Sequence, residues 1–212
     1  MKTKKQLAIM LSKLKVFEKP DTRLEQYPTD SEIAAEIIWW ATYKGDITGK
    51  VIVDLGSGTG ILGLSALAMG AKKVFFVDID EKALEIAKEN LVYVEKELGQ
   101  KLGQKAEFVN KNVLEFEEKA DVVMQNPPFG IQGKRHADKE FLDQAFKIAP
   151  LVYSLHKAES QGFIKSFSDD KGYETTHYWE FKFPIKMTMK HHKKKIQRVP
   201  VGCWRIQRQT EK

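Results

Sequence analysis

Apolar residues recur at helical spacing near the start of the chain. Leu7, Met10, Leu11, Leu14 and Phe17 share one face with lysines between them, which predicts an amphipathic helix over residues 5–17. Pro28 stops the next segment, and Thr29 with Glu32 has the S/T-x-x-E spacing of a capping box. A second helix therefore starts there, with Ile33, Ile37 and Trp40 on one face and an end near Gly45. From residue 50 the pattern changes. Short, strand-like apolar runs at 51–55, 73–78, 106–110, 121–125 and 151–155 alternate with helical stretches at 61–69, 80–97, 138–149 and 158–168. Such alternation predicts an α/β fold: a parallel sheet covered on both faces, with right-handed crossovers. Residues 173–183 and 198–208 then read as two long strands with no helix between them, an antiparallel hairpin at one end of the sheet. No internal repeat or low-complexity linker interrupts this order. The expectation is one domain over 1–212, made of a helical arm (1–45), a βα core (50–170) and a C-terminal hairpin (172–212).

A chain of 212 residues with 42% hydrophobic positions can bury a sizeable core, which excludes global disorder. The single cysteine, Cys203, excludes an internal disulfide and a Cys-based zinc site within one chain, and it fits a reducing cytosol. His191 and His192 stand together without carboxylates at ligand spacing, so no metal site is expected. No apolar run approaches the ~18 residues of a spanning helix. The N-terminus begins like a signal peptide, but Lys13 and Lys15 interrupt it and no small-x-small site follows. The expectation is a soluble, cytoplasmic protein with no membrane partner.

Candidate chemistry begins after the first strand, at Asp54-Leu55-Gly56-Ser57-Gly58-Thr59-Gly60. Glycines at a strand-to-helix turn let backbone approach a ligand closely. A dinucleotide fingerprint needs a small residue at position 61, where Ile61 stands, and the Lys-Ser/Thr ending of a P-loop is missing. A strand-end acid followed by alternating glycines suits a ligand without pyrophosphate but with a cationic amino-acid portion. The second strand ends in Asp78-Ile79-Asp80, an acid placed to accept from ribose hydroxyls.

The fourth strand ends in Asn126-Pro127-Pro128-Phe129-Gly130, where ligands sit in open α/β sheets. The prolines fix φ and donate no hydrogen bonds, the Asn amide offers an acceptor, and Phe129 offers a flat apolar face. Such a site suits a planar molecule bearing an NH₂ group. An exocyclic adenine amine is a poor nucleophile, because its lone pair is delocalised into the ring. Acceptors at Asn126 and the Pro127 carbonyl would take its hydrogens and turn the lone pair toward a methyl donor, by positioning and electrostatics. Stacking on Phe129, worth ~1–3 kcal/mol, would hold a flipped base.

DLGSGTG with the downstream VDID resembles the glycine motif and acidic loop of class I S-adenosylmethionine-dependent methyltransferases. The resemblance implies a Rossmann-like, seven-stranded, mostly parallel sheet whose last strand is antiparallel. NPPF is similar to the motif of methyltransferases acting on adenine N6, guanine N2 or the glutamine side chain. LEQYPTD, DLGSGTG, DIDEKALEIAKEN, NPPFG and LVYSLHK together, over roughly residues 22–165, resemble the methyltransferase-like-five family of archaea and eukaryotes. That resemblance implies adenine N6 methylation of small-subunit ribosomal RNA. It also implies a cofactor site lined by Gln26, Thr29, Gly56, Thr59, Ile61 and Asp78, with Asn126 to Phe129 catalytic. Asn112 and Val113 fall where the family usually has Asp-Val facing the cofactor adenine, so the acceptor is kept and the charge lost. A small zinc-containing activator subunit is implied as a partner. Alternatives are a protein glutamine N5-methyltransferase and an rRNA guanine N2-methyltransferase.

Charge favours RNA. The chain carries 35 Lys and Arg against 29 Asp and Glu, a net +6. Between Glu180 and Glu211 there is no acid, yet there are nine basic residues, more than that whole net charge. Lys190, Lys193, Lys194, Lys195 and Arg198 form their centre and are expected to bind phosphate. Lys134 and Arg135, directly after NPPFG, belong either to a lid that orders on substrate or to an idle surface loop. Trp179 and Trp204 are expected in the core, and His156 at a strand end.

Overall fold

A computed structural model describes residues 3–18, 26–129, 137–186 and 196–209. Helix α1 (Lys4–Leu11) is followed by α2 (Ser31–Tyr43), β1 (Val51–Leu55), α3 (Ile61–Ala68), β2 (Lys73–Asp78), α4 (Glu81–Leu98) and β3 (Ala106–Asn110). Then come β4 (Val122–Gln125), α5 (Ala137–Ile148), β5 (Leu151–Lys157), α6 (Gln161–Asp170), β6 (Tyr173–Lys186) and β7 (Ile196–Arg208).

The strands form a seven-stranded sheet in the order β3-β2-β1-β4-β5-β7-β6. All neighbours from β3 to β5 are parallel. Strand β7 enters between β5 and β6, antiparallel to both, and is the one reversed strand. The chain's strand order reverses between β1 and β4, and in open α/β sheets that reversal opens a crevice at the strands' carboxyl ends.

Alternation along each strand splits the core into two layers. Ile52, Val74, Phe76, Val122, Met124 and Tyr153 pack against α1 to α4. Val53, Leu55, Phe75, Val77, Val123 and Val152 pack on the other face, against Leu142 and Phe146 of α5 and Ile164 of α6. Trp204 is buried in the second layer, and Trp179 is half-buried against the first.

The arm departs from expectation twice. Helix α1 ends at Leu11, and the chain continues irregularly to Phe17. Lys15 puts its backbone groups into bonds with the Asn90 side chain of α4, which a continued helix would forbid. The cap of α2 is Asp30, whose Oδ1 accepts from Glu32 N at 3.0 Å and Ile33 N at 3.3 Å. Thr29 is thereby released from capping, and its side chain turns to another partner. His156 lies within β5 and caps nothing. It is 1% exposed, with Nε2 2.6 Å from Ser154 Oγ, and burial pushes its imidazole down to about 3, so it is neutral.

Candidate active site

The crevice holds a cavity of about 270 Å³. The glycine loop forms its floor. Gly56 N and Ser57 N donate to Val77 O at 2.9 and 3.0 Å, tying the loop to the end of β2. Gly56 has φ +71° and Gly58 φ +52°, both left-handed. A Cβ at Gly56 would meet the Phe141 ring at 2.8 Å, and one at Gly58 would lie 3.6 Å from the Phe17 ring. Two aromatic side chains from distant segments therefore close on the two glycines.

Two carboxyls stand behind this floor, Asp54 buried and Asp78 half-buried. Asp54, 1% exposed, accepts from Gly63 N at 2.8 Å. Burial pushes its carboxyl up to about 8, opposed by the Gly63 N–H and reinforced by Asp78. Asp78 accepts from Gly58 N at 2.7 Å and Asp80 N at 2.9 Å. Its carboxyl is raised chiefly by burial, while those two N–H groups pull it back. Gln26 Nε2 donates to Asp80 Oδ2 at 2.7 Å, which fastens residues 26–30 across the β2 end of the crevice.

At the other end stands Asn126. Its Nδ2 donates to Thr29 Oγ1 at 3.0 Å, while its Oδ1 is buried without a partner. Ile79 (58% exposed) and Leu114 (43% exposed), two of the large apolar side chains left open to solvent, both line the cavity with Val113. Asn112 is on the lining too, and its Oδ1 accepts from Leu114 N at 3.1 Å, capping the turn at 113–115.

Of the residues expected around a cofactor, Gln26, Thr29, Asp54, Gly56, Gly58, Thr59, Ile61, Asp78, Ile79, Asn112, Val113 and Asn126 line this one cavity, and Pro128 joins them. Gly60 does not. It starts α3 with φ +87°, and a Cβ there would sit 3.0 Å from Ala87 and 3.4 Å from the Phe76 ring. Pro127 is buried, and Phe129 is half-buried with its ring edge-on to Phe183 at 5.9 Å between centroids. Neither is part of the cavity lining. Tyr27, Pro28, Ser57 and Leu62 complete the lining from within or beside the motifs, and Phe17, Leu114, Glu140 and Phe141 line it from outside the residues that the sequence singles out for the site. The apolar spacing predicts Phe17 on a helix face, and no motif marks Phe141.

Among the basic residues, Arg198 is exposed on β7, where it pairs with Pro184 of β6. Lys182 on β6 is also exposed. Lys134, Arg135, Lys190, Lys193, Lys194 and Lys195 lie outside the described residues. Among the described residues no cluster could hold a metal ion, and no helix is long and apolar enough to cross a membrane.

Known proteins place this geometry in a family. The methyltransferase small domain family matches residues 38–149. The chain is 38% identical over 209 residues to protein MJ0284 of Methanocaldococcus jannaschii, covering 97% of this chain and 94% of that one. It is 32% identical over 197 residues to rRNA N(6)-adenosine-methyltransferase Mettl5 of Drosophila melanogaster, covering 92% of each. The crystal structure of PH1948 from Pyrococcus horikoshii superposes with a TM-score of 0.88 at 41% identity, covering 99% of this chain and 100% of that one. The chain belongs to the methyltransferase small domain family and, within it, to the methyltransferase-like-five family.

Proposed function

We propose that the protein is an S-adenosylmethionine-dependent adenine N6-methyltransferase acting on RNA, with small-subunit ribosomal RNA as substrate. The observation that carries this reading is Asn126, an unpaired buried acceptor at the end of β4 on the wall of a cavity backed by two carboxyls. An unpaired buried acceptor costs about 1–3 kcal/mol, and an incoming amine would relieve that cost.

The residues present suit the cofactor. Asp54 and Asp78 place carboxyl groups where a cationic amino acid and a ribose would be held, and half-exposed Ile79 and Leu114 offer apolar faces to an adenine ring. When bound, S-adenosylmethionine supplies an electrophilic methyl on a sulfonium. Asp78 would accept from ribose hydroxyls with the lone pairs that Gly58 N and Asp80 N leave open. Asn126 Oδ1 and the Pro127 carbonyl would accept hydrogen bonds from the two hydrogens of the target amine, which orients its lone pair, and one of those hydrogens would leave to solvent as a proton once the nitrogen carries the methyl. Phe129, braced by Phe183, stacks on the extruded base, so the residues act by orientation and preorganised dipoles without a strong base.

The RNA substrate is supported by the Drosophila relative's activity and by the acid-free basic segment after Glu180. The proposal includes a cytoplasmic setting, which a single buried Cys203 with its thiol pushed up by burial suits, and a small zinc-containing activator subunit as partner. The test is incubation with isotopically labelled S-adenosylmethionine and small-subunit rRNA, followed by nucleoside mass spectrometry. Label in N6-methyladenosine is the expected result. Label in N2-methylguanosine, or only in glutamine of a protein substrate, overturns the assignment.

A further inference from the structure

We infer that Thr29 is a positioning residue for the transfer step: its hydroxyl holds the Asn126 amide so that Oδ1 is presented to the target amine. The inference rests on the proposed role of Asn126 and extends it to a residue 97 positions away in the chain. The terminal torsion of an asparagine is broad and roughly two-fold, so an untethered amide turns easily and exchanges its oxygen for its nitrogen. An NH₂ group in that place would oppose the amine's own hydrogens. In the structure Asn126 Nδ2 donates to Thr29 Oγ1 at 3.0 Å, and this is the sense that leaves the oxygen unpaired.

Thr29 is well placed to act as an anchor. It is 7% exposed, and the residue after it is the cap of α2. Three residues earlier, Gln26 is bound to Asp80 at the end of β2. Residues 26–30 thus form a strap fixed at one end to a helix and at the other to the acidic loop. A side chain held on such supports keeps its partner within the narrow range of geometry that catalysis needs. The shift of the helix cap from Thr29 to Asp30 is what frees the hydroxyl for this contact.

Thr29→Val keeps the branched shape and removes the hydroxyl, whereas Thr29→Ser keeps the hydroxyl. The expected result is that T29V lowers kcat, measured at saturating cofactor, about tenfold or more, as loss of an orienting hydrogen bond would. T29S should restore kcat to near the wild-type value. In an Asn126→Ala background T29V should add little further loss, because the group it positions is gone. If T29V does not fold by circular dichroism, Thr29→Ala is measured in the same way. Wild-type kcat in folded T29V beside a slow N126A overturns the inference and leaves the role of Asn126 standing. So does a T29V that loses cofactor affinity while keeping kcat at saturation, or a T29S as slow as T29V. A fast N126A removes the proposed mechanism itself, and the role of Thr29 falls with it.

Discussion

Asn90 and Lys15, 75 residues apart, exchange a reciprocal pair of hydrogen bonds: Lys15 N donates to Asn90 Oδ1 at 2.8 Å and Asn90 Nδ2 donates to Lys15 O at 3.0 Å. The same Nδ2 also donates to Thr59 O at 3.0 Å, so one side chain, 1% exposed, joins α4, the glycine loop and the N-terminal arm. Phe17 follows two residues later and reaches the cavity beside Gly58. Asn90→Ala removes the partner of Lys15 N and Lys15 O and of the buried Thr59 O, and should cost about 1–3 kcal/mol of stability in urea unfolding. It should also weaken cofactor binding about tenfold by calorimetry, because the loop and its aromatic wall lose a shared tether. Lower stability with unchanged affinity would show that the arm contributes to folding alone.

The two ends of the cavity should respond differently to mutation. Asp78→Ala removes the acceptor for Gly58 N and Asp80 N along with the proposed ribose contact, so cofactor affinity should fall by at least ~1 kcal/mol. Asn126→Ala should leave affinity nearly intact and lower the transfer rate ~100-fold, the scale for loss of one preorganised polar group. Calorimetry and single-turnover kinetics on both variants separate the effects. An N126A enzyme turning over at the wild-type rate would remove the amide from the mechanism.

Asp54 gives the folded protein a pH signature. Its folded carboxyl is raised to about 8 from an ordinary value of 3.8, so the folded state holds a proton that the unfolded state has lost. The stabilising contribution is full below the unfolded value and is lost as pH rises from there through about 8. A bound cationic ligand prefers the ionised form, so cofactor affinity should rise with pH across that range, with release of a proton. The cofactor's own α-amino group titrates at ~8 as well, so the quantity to measure is the difference between wild type and Asp54→Asn. Calorimetry in buffers of different ionisation enthalpy should show proton release that D54N abolishes. Equal proton release in both proteins would take Asp54 out of the linkage.

How much of this was legible in the sequence depended on the range of the interaction. Strands β1, β2 and β3 fall on the residues predicted; for β1 and β2 the reason is that a central strand between helices leaves a continuous apolar run. The terminal hairpin was legible as two long strands, but the entry of β7 between β5 and β6 was not, since pairing across the sheet leaves no local period. In the site, the glycine loop and Asp78 announce themselves through spacing. The contacts Asn126–Thr29, Asn90–Lys15 and Gly56–Phe141 do not, because each joins segments brought together only by the finished sheet. The spacing overextends helix α1 for the same reason: its apolar face continues to Phe17, but a side chain of α4 captures the backbone first.

The basic segment after Glu180 separates an RNA enzyme from a protein enzyme through its response to salt. Strands β6 and β7 present Lys182 and Arg198 to solvent, and Lys193, Lys194 and Lys195 add charge from outside the described residues. Each lysine bound to a phosphate releases condensed counterions, with a slope of ~0.7–0.9 in log affinity against log salt per contact. Neutralising Lys193, Lys194 and Lys195 together should therefore make that slope shallower by ~2–3 units and weaken RNA binding uniformly across sequences. Cofactor affinity should stay unchanged, since the cavity lies at the ends of β1, β2 and β4 and, among the described residues, none of β6 or β7 lines it. Filter binding at a series of salt concentrations gives the slope, and calorimetry gives the control. An unchanged slope would mean that the run is a solvated face. The RNA assignment would then rest on kinship with the methyltransferase-like-five family, and glutamine in a protein would become the substrate to test next.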